Sequence, residues 1–199
     1  MTSRSRNSRS GNAAPIYLAA VVFLMSTGVN LAGEKDNVPE PEEYRTNTYR
    51  APVPATLKGA KVVTTDEVIA LWEDKSTVFV DVLPHDPKPA NLPAGTVWRD
   101  KVREDIPGSI WLANVGYGIL NKETEAYFRK GLESRLGSDK NRRVLFYCME
   151  NCWMSWNAAK RAIEWGYRSV FWYPLGTDGW IAAGRATQKN EPINFNLAP

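Results

Sequence analysis

The sequence predicts an α/β domain built on a parallel sheet of about five strands flanked by helices. Three observations predict it. Val78-Phe79-Val80-Asp81-Val82, Val144-Leu145-Phe146-Tyr147 and Val170-Phe171-Trp172-Tyr173 are short, nearly continuous apolar runs, as expected of strands buried on both faces. Between them lie stretches whose apolar residues recur at helical spacing. Turn residues separate the two kinds, so that strands alternate with helices.

In chain order, Arg4, Arg6 and Arg9 precede an apolar run from Ala13 to about Val29 and the small residues Ala32 and Gly33. Basic, then apolar, then small is the layout of an export signal, assigned to residues 1–33. An uncleaved anchor is the alternative, because a run of about 17–20 residues just spans a bilayer. Pro15, Ser26, Thr27 and Asn30 weaken the run and favour cleavage, and no cysteine follows it to serve as a lipoprotein anchor. The chain of 199 residues carries a net charge of +3. Loss of the three arginines leaves a formally neutral domain (3 − 3 = 0) without a basic face for nucleic acid.

Residues 34–56, with Pro39, Pro41, Pro52 and Pro54, read as an extended arm lying on the domain or on a partner. The domain itself is assigned to residues 57–187. Val62-Val63 reads as a strand, and Thr64 to Glu67 as a capping box opening a helix with Val68, Ile69, Leu71 and Trp72 on its apolar side. The strand from Val78 to Val82 is followed by the least regular region, Leu83 to Pro107, which holds five prolines and His85, the only histidine. A connection this long reads as a functional loop or lid, and it follows the carboxyl end of a strand. Ser109 to Leu112 is a third strand and Asn114 to Gly118 a glycine turn. Glu123 to Leu136 is a helix with Tyr127, Phe128, Leu132 and Leu136 on one side, closed by Gly137. After Val144 to Tyr147, a helix from Ser155 turns Ala158, Ala159, Ala162 and Ile163 inward, with Lys160, Arg161 and Glu164 between them and Gly166 as its stop. Val170 to Tyr173 is the last strand, and Gly176 to Trp180 a turn before a short helix near Ala182-Ala183. Residues 188–199 read as a poorly ordered tail.

Both cysteines, Cys148 and Cys152, fall where the buried strand ending at Tyr147 gives way to a helix. Free backbone amides and the positive end of the helix dipole favour an anion there, so a thiolate is expected at Cys148. Two cysteines so placed fit thiol–disulfide exchange, one attacking and the other resolving. They also fit a nucleophile that holds a sulfane sulfur as a persulfide. A structural disulfide and a pair of reduced core thiols are the inert alternatives. Glu150 disfavours a neighbouring thiolate and repels anionic donors.

Several short pieces, taken in order, resemble a rhodanese domain over about Leu57 to Ala186. They are Asp81-Val82 closing a strand, Ile106-Pro107-Gly108-Ser109-Ile110 opening the next, Tyr147-Cys148 before a loop, Ala158-Ala159 in the following helix, Gly166-Tyr167 before Val170, and Gly179-Trp180. Cys148-x-x-x-Cys152-Trp153, the run Met154 to Arg161 and the segment Tyr49-Arg50-Ala51-Pro52-Val53-Pro54 narrow this further. They resemble the exported rhodanese-like family named for a CXXCW motif and associated with pyrroloquinoline-quinone (PQQ)-dependent catabolism. The resemblance implies a rhodanese fold and a periplasmic accessory to quinoprotein alcohol oxidation, using sulfurtransferase-like or thiol–disulfide redox chemistry. Its implied partners are a sulfur donor or a thiol/disulfide protein, and a quinoprotein dehydrogenase or its cytochrome. Cys148 then takes the place of the catalytic cysteine with Cys152 beside it, and Met149, Glu150, Asn151, Trp153, Met154 and Ser155 are the loop residues offered to a substrate. Two departures stand out: residues 149–154 contain no Arg or Lys, and the loop is about one residue longer than in common sulfurtransferases.

A binding role is the other class of reading. Cys148 and Cys152 with His85, Met149 or Met154 compose a soft ligand set suited to copper(I). Haem attachment is excluded, because Trp153 stands where Cys-x-x-Cys-His places histidine. Trp153 and Trp156 form an expected apolar rim for a docking protein or a flat redox cofactor.

Overall fold

Side chains along the central strand point alternately to two layers, and this alternation organises the molecule. In the computed structural model, which describes residues 1–2, 38–86, 88–99 and 101–195, Val144 and Phe146 enter one core and Leu145 and Tyr147 the other. Strands are β1 (Ala60–Val62), β2 (Val78–Asp81), β3 (Arg103–Asp105), β4 (Ile110–Trp111), β5 (Val144–Tyr147), β6 (Val170–Tyr173) and β7 (Gln188–Asn190); helices are α1 (Thr65–Asp74), α2 (Lys122–Leu136), α3 (Trp153–Glu164) and α4 (Gly176–Ala182). Five strands form one parallel sheet in the order β1-β6-β5-β2-β4. The larger core packs Phe128, Leu132 and Leu136 of α2 and Trp156, Ala158, Ala159 and Ala162 of α3 on one face. Val68 of α1 and Trp180 of α4 pack on the other.

Local chemistry explains the helix starts. The Thr64 amide donates to Glu67 Oε2 at 2.9 Å and the Glu67 amide to Thr64 Oγ1 at 3.4 Å, the reciprocal capping box. At α2 the Thr124 amide donates to Asn121 Oδ1 at 2.8 Å, which starts that helix one residue before the sequence reading. Helix α3 begins at Trp153 rather than at Ser155. First-turn amides lack intrahelical acceptors, and here the Trp153 amide donates to Tyr49 O at 2.9 Å. That acceptor comes from far up the chain.

Two strands escaped the sequence reading. Arg103–Asp105 and Gln188–Asn190 pair antiparallel as a separate ribbon, so residues 188–195, read as a poorly ordered tail, run along the domain. Asn190 Nδ2 donates to Asp105 Oδ2 at 2.6 Å and to Ser109 O at 3.0 Å, and the Ile193 amide donates to Trp111 O at 3.0 Å. The Gly176–Trp180 stretch is also corrected: it is the body of α4, not a turn ahead of it.

Residues 38–56 lie across α3. Proline-rich chain stays extended and leaves carbonyls without internal partners, and the α3 tryptophans use them: Trp153 Nε1 donates to Pro52 O at 3.0 Å and Trp156 Nε1 to Thr56 O at 3.2 Å. The expected Trp153/Trp156 rim is therefore interior, with 3% and 0% exposure. Arg161, which lies between the apolar positions of the helix, is buried as well and donates to the carbonyls of Val115, Tyr117 and Gly118 at 3.2, 3.1 and 2.9 Å. Residues 3–37, which hold nearly all of the segment read as an export signal and the start of the arm, lie outside the described residues. Among the described residues no helix is long and apolar enough to cross a membrane.

Asn157 fastens the arm: Arg45 N donates to its Oδ1 at 3.0 Å, while its Nδ2 donates to Arg45 O at 2.8 Å and Gly116 O at 2.9 Å. Asn157→Ala orphans these buried groups and is expected to cost about 2–3 kcal/mol. A urea titration should show a lower midpoint with an unchanged slope.

Candidate active site

The site is assembled at the carboxyl ends of β2 and β5, where Asp81, Cys148 and the start of α4 converge. Asp81 is fully buried, and Arg103 Nε donates to its Oδ2 at 2.5 Å. Burial raises the Asp81 pKa above the ordinary carboxylate range, and the Arg103 charge pulls against it. Desolvation opposes the Arg103 charge, but the Asp81 carboxylate outweighs it and raises the arginine pKa. The guanidinium also reaches forward: Arg103 Nη2 donates to Cys148 O at 3.2 Å. Thr177 N and Thr177 Oγ1 donate to the same carbonyl at 3.2 and 3.3 Å. Gly176 makes this approach possible, since a Cβ there would fall 2.6 Å from Met149 Cα and 2.7 Å from Cys148 C, and its φ is +51°. The Cys148 peptide is thus gripped from two sides. On the loop's outer edge, the Glu150 amide donates to Asp178 Oδ2 at 2.8 Å.

The arm closes the loop from above. Arg50 and Cys152 form an isolated antiparallel bridge, flanked by Ala51 N to Asn151 O at 3.1 Å and Trp153 N to Tyr49 O at 2.9 Å. Cys148 stands just outside β5 and Cys152 caps α3, so the two sulfurs meet without the helical i, i+4 spacing. Cys148 is 0% exposed and Cys152 2%, and both are free thiols.

Their acidities split. Burial pushes the Cys148 thiol well up, and its hydrogen bond to Cys152 and the nearby Asp81 charge push it further. At Cys152 the hydrogen bond from Cys148 stabilises the anion, desolvation opposes it, and the Met154 amide, the Arg50 charge and the Met149 amide add to the first, bringing the pKa down to about 7. The thiolate expected at Cys148 is thus opposed by burial there, while the amides and the charge around Cys152 favour an anion on that sulfur. The reason is geometric: Cys148 offers its carbonyl, not its sulfur, to the site's cation, and its sulfur lies in the desolvated layer near Asp81.

Of the loop residues offered to a substrate, Glu150 and Asn151 are exposed and Met149 half-buried, whereas Trp153, Met154 and Ser155 belong to the interior. Ser155 Oγ accepts from Trp172 Nε1 at 3.0 Å and donates to Cys152 O at 3.2 Å, a packing role. His85 does not join the cysteines as a copper ligand: its ring stands edge-on to Trp111 and its backbone exchanges hydrogen bonds with Asn114. Among the described residues no cluster of three or more His, Cys, Asp or Glu is gathered for a metal ion. Arg103, the site's buried cation, was missed, because nothing in a charged three-residue stretch reveals burial.

A cysteine loop between a central parallel strand and a helix, gripped by the following helix, defines a rhodanese-type site. The sequence profile of the rhodanese-like domain matches residues 64–183, more than half of the chain, and the chain belongs to that family. Among solved structures it is similar to a thiosulfate sulfurtransferase from Pseudomonas aeruginosa, with 17% identity, TM-score 0.46, and coverage of 70% of this chain and 22% of that one. It is also similar to a polysulfide-sulfur transferase homodimer from Wolinella succinogenes (14%, TM-score 0.42, coverage 70% and 84%). A third is an uncharacterized protein from Saccharomyces cerevisiae (21%, TM-score 0.36, coverage 63% and 93%). No curated protein matches the chain.

Breaking the buried pair with Asp81→Asn leaves Arg103 uncompensated and is expected to cost about 3 kcal/mol or more, read by urea unfolding. Asp105 supplies a pH test. Burial raises its pKa to about 7, Asn190 opposes that, the Asp81 charge adds to it and Arg103 opposes it. The folded form therefore holds a proton that the unfolded chain releases at lower pH, so stability falls as pH rises from about 4 to about 7, by at most about 1.4 kcal/mol per pH unit. In Asp105→Asn that slope should flatten in a pH series of melting temperatures.

Proposed function

We propose that this is an exported rhodanese-like accessory protein of PQQ-dependent alcohol catabolism that works by persulfide or thiol–disulfide chemistry at Cys148 and Cys152. The observation that carries the chemistry is the geometry of the thiol pair: Cys148 at the end of β5 and Cys152 at the cap of α3 are hydrogen-bonded to each other, with Arg50 bridged to Cys152. One sulfur is prepared to attack near neutral pH and the other keeps its proton until called on. Family membership supports sulfur handling, and the CXXCW-type resemblance and the basic-apolar-small amino terminus support the periplasmic setting, with a quinoprotein dehydrogenase or its cytochrome as partner.

In sulfur transfer, the Cys152 thiolate attacks the outer sulfur of a persulfide R–S–SH. The donor S–S bond breaks, R–S⁻ leaves, and the sulfur is held as Cys152–S–SH. In disulfide exchange the thiolate attacks a partner disulfide and releases one partner thiolate. Cys148 then passes its proton to that thiolate and attacks Cys152 Sγ, releasing the second. The pair ends as a disulfide and the partner has gained two electrons. Burial of both sulfurs favours a second reading, a non-catalytic module that presents Met149 to Asn151 to a quinoprotein partner or takes up a redox cofactor or copper through the same loop.

Alkylation by iodoacetamide decides between them. Wild type should react with a midpoint near the Cys152 pKa of about 7, and Cys152→Ser should be nearly inert at pH 7.5. Cys148→Ser retains a hydroxyl donor for Cys152, so it should still react and still transfer sulfur, while disulfide exchange stalls at the mixed disulfide. Folded protein in which both thiols stay inert to iodoacetamide and to persulfide donors across pH 6–9 would leave only the binding reading.

A further inference from the structure

A cavity of about 320 Å³ opens beside the cysteine loop, beneath the proline-rich segment that follows β2. That volume lies at the small-molecule end of ligand pockets, which span about 300–1,000 Å³. Its walls are mainly apolar, with Leu83, Pro84, Trp98, Val102 and Trp111, and the His85 ring stands edge-on to Trp111. Met149 and Arg50 also line it, each next to one of the two cysteines. Met149 follows Cys148 in the chain, and Arg50 is bridged to Cys152.

The charges facing this space do not cancel. Arg103 is neutralised by Asp81, and Lys101 faces Asp86 at 3.7 Å. Arg50 forms no ion pair or side-chain hydrogen bond among the described residues, and it is exposed. The loop itself, residues 149–154, has no Arg or Lys. We propose that this cavity recognises a sulfur-bearing organic acid with a flat apolar body, and that Arg50, carried to the loop by the arm, is the residue that binds its carboxylate. The half-buried rings of Trp98 and His85 supply aromatic surface for the flat body. The guanidinium offers forked donors suited to a carboxylate, and it holds the acid beside Cys152. The proposal rests on the sulfur-chemistry reading only for the acid's cargo, an S–S bond, and not for its binding.

Two measurements on the full chain separate the pocket from the chemistry. The first follows quenching of tryptophan fluorescence by 4-nitrobenzoate and by uncharged nitrobenzene in a Cys148→Ser/Cys152→Ser background, where no reaction occurs. Arg50→Gln is expected to weaken the anion about tenfold and leave nitrobenzene within about twofold, Arg50→Lys to recover part of the loss, and Trp98→Ala to weaken both probes. The second follows release of thionitrobenzoate from 5,5′-dithiobis(2-nitrobenzoate), against the uncharged 2,2′-dithiodipyridine, by the thiols of the wild type. The Cys152 thiolate breaks the aryl S–S bond and the aryl thiolate leaves, so Arg50→Gln should slow the anionic disulfide by about tenfold and the neutral one far less.

Absence of 4-nitrobenzoate binding, or an Arg50→Gln effect equal on charged and uncharged probes, overturns the pocket even if the thiols react. Binding that depends on Arg50, with both disulfides unreactive, upholds the pocket and removes the sulfur-chemistry reading instead.

Discussion

The ion pair between Asp81 and Arg103 is the constraint from which the site is built. A carboxylate at the end of a central parallel strand has no water to face, so it needs a cation delivered from elsewhere in the chain. The ribbon of β3 and β7 delivers it, since Arg103 stands at the start of β3. Once there, the guanidinium has donors left over, and one is spent on the carbonyl of Cys148. Thr177 supplies the other two donors through the tight approach that Gly176 permits. Strand, ribbon, loop and α4 thus meet at one peptide oxygen.

The same arrangement sets the surroundings of the two thiols. Because the donors converge on the Cys148 carbonyl, its sulfur is left in a dry layer near a carboxylate and keeps its proton. That proton then serves the neighbouring sulfur, which also has the Met154 amide and the Arg50 charge in its favour. A thiol made less acidic by its surroundings makes its neighbour more acidic. The amino-terminal arm completes the arrangement, since it contributes Arg50 and also the carbonyl that starts α3 at Trp153.

Much of the scaffold was legible in the sequence because its signals are local. Val144 to Tyr147 and Val170 to Tyr173 are strands from end to end, and the Thr64–Glu67 box forms as its spacing requires. What stayed hidden depends on contacts across the chain. The ribbon strands Arg103–Asp105 and Gln188–Asn190 are polar three-residue pieces with no periodicity to detect. Trp153 and Trp156 looked available because the arm that covers them lies about a hundred residues away. The burial of Arg161 stayed hidden because no pattern reveals three carbonyls waiting in a glycine turn. The burial of the Cys148 sulfur stayed hidden for a related reason: the sequence locates a helix amino terminus, but not which atoms of the preceding residue its surroundings engage.

The alternation of β5 between two cores also governs how this architecture can vary. With parallel partners on both sides and opposite faces fully packed, the strand is indexed like a ratchet tooth. Sliding by one residue, a step of about 3.3 Å, would invert every side chain on it and bring Tyr147 or Met149 to the place of the sulfur. A change in where the sulfur stands is therefore open to the loop between β5 and α3, whose length is not indexed to the sheet, and closed to a gradual slide of the strand.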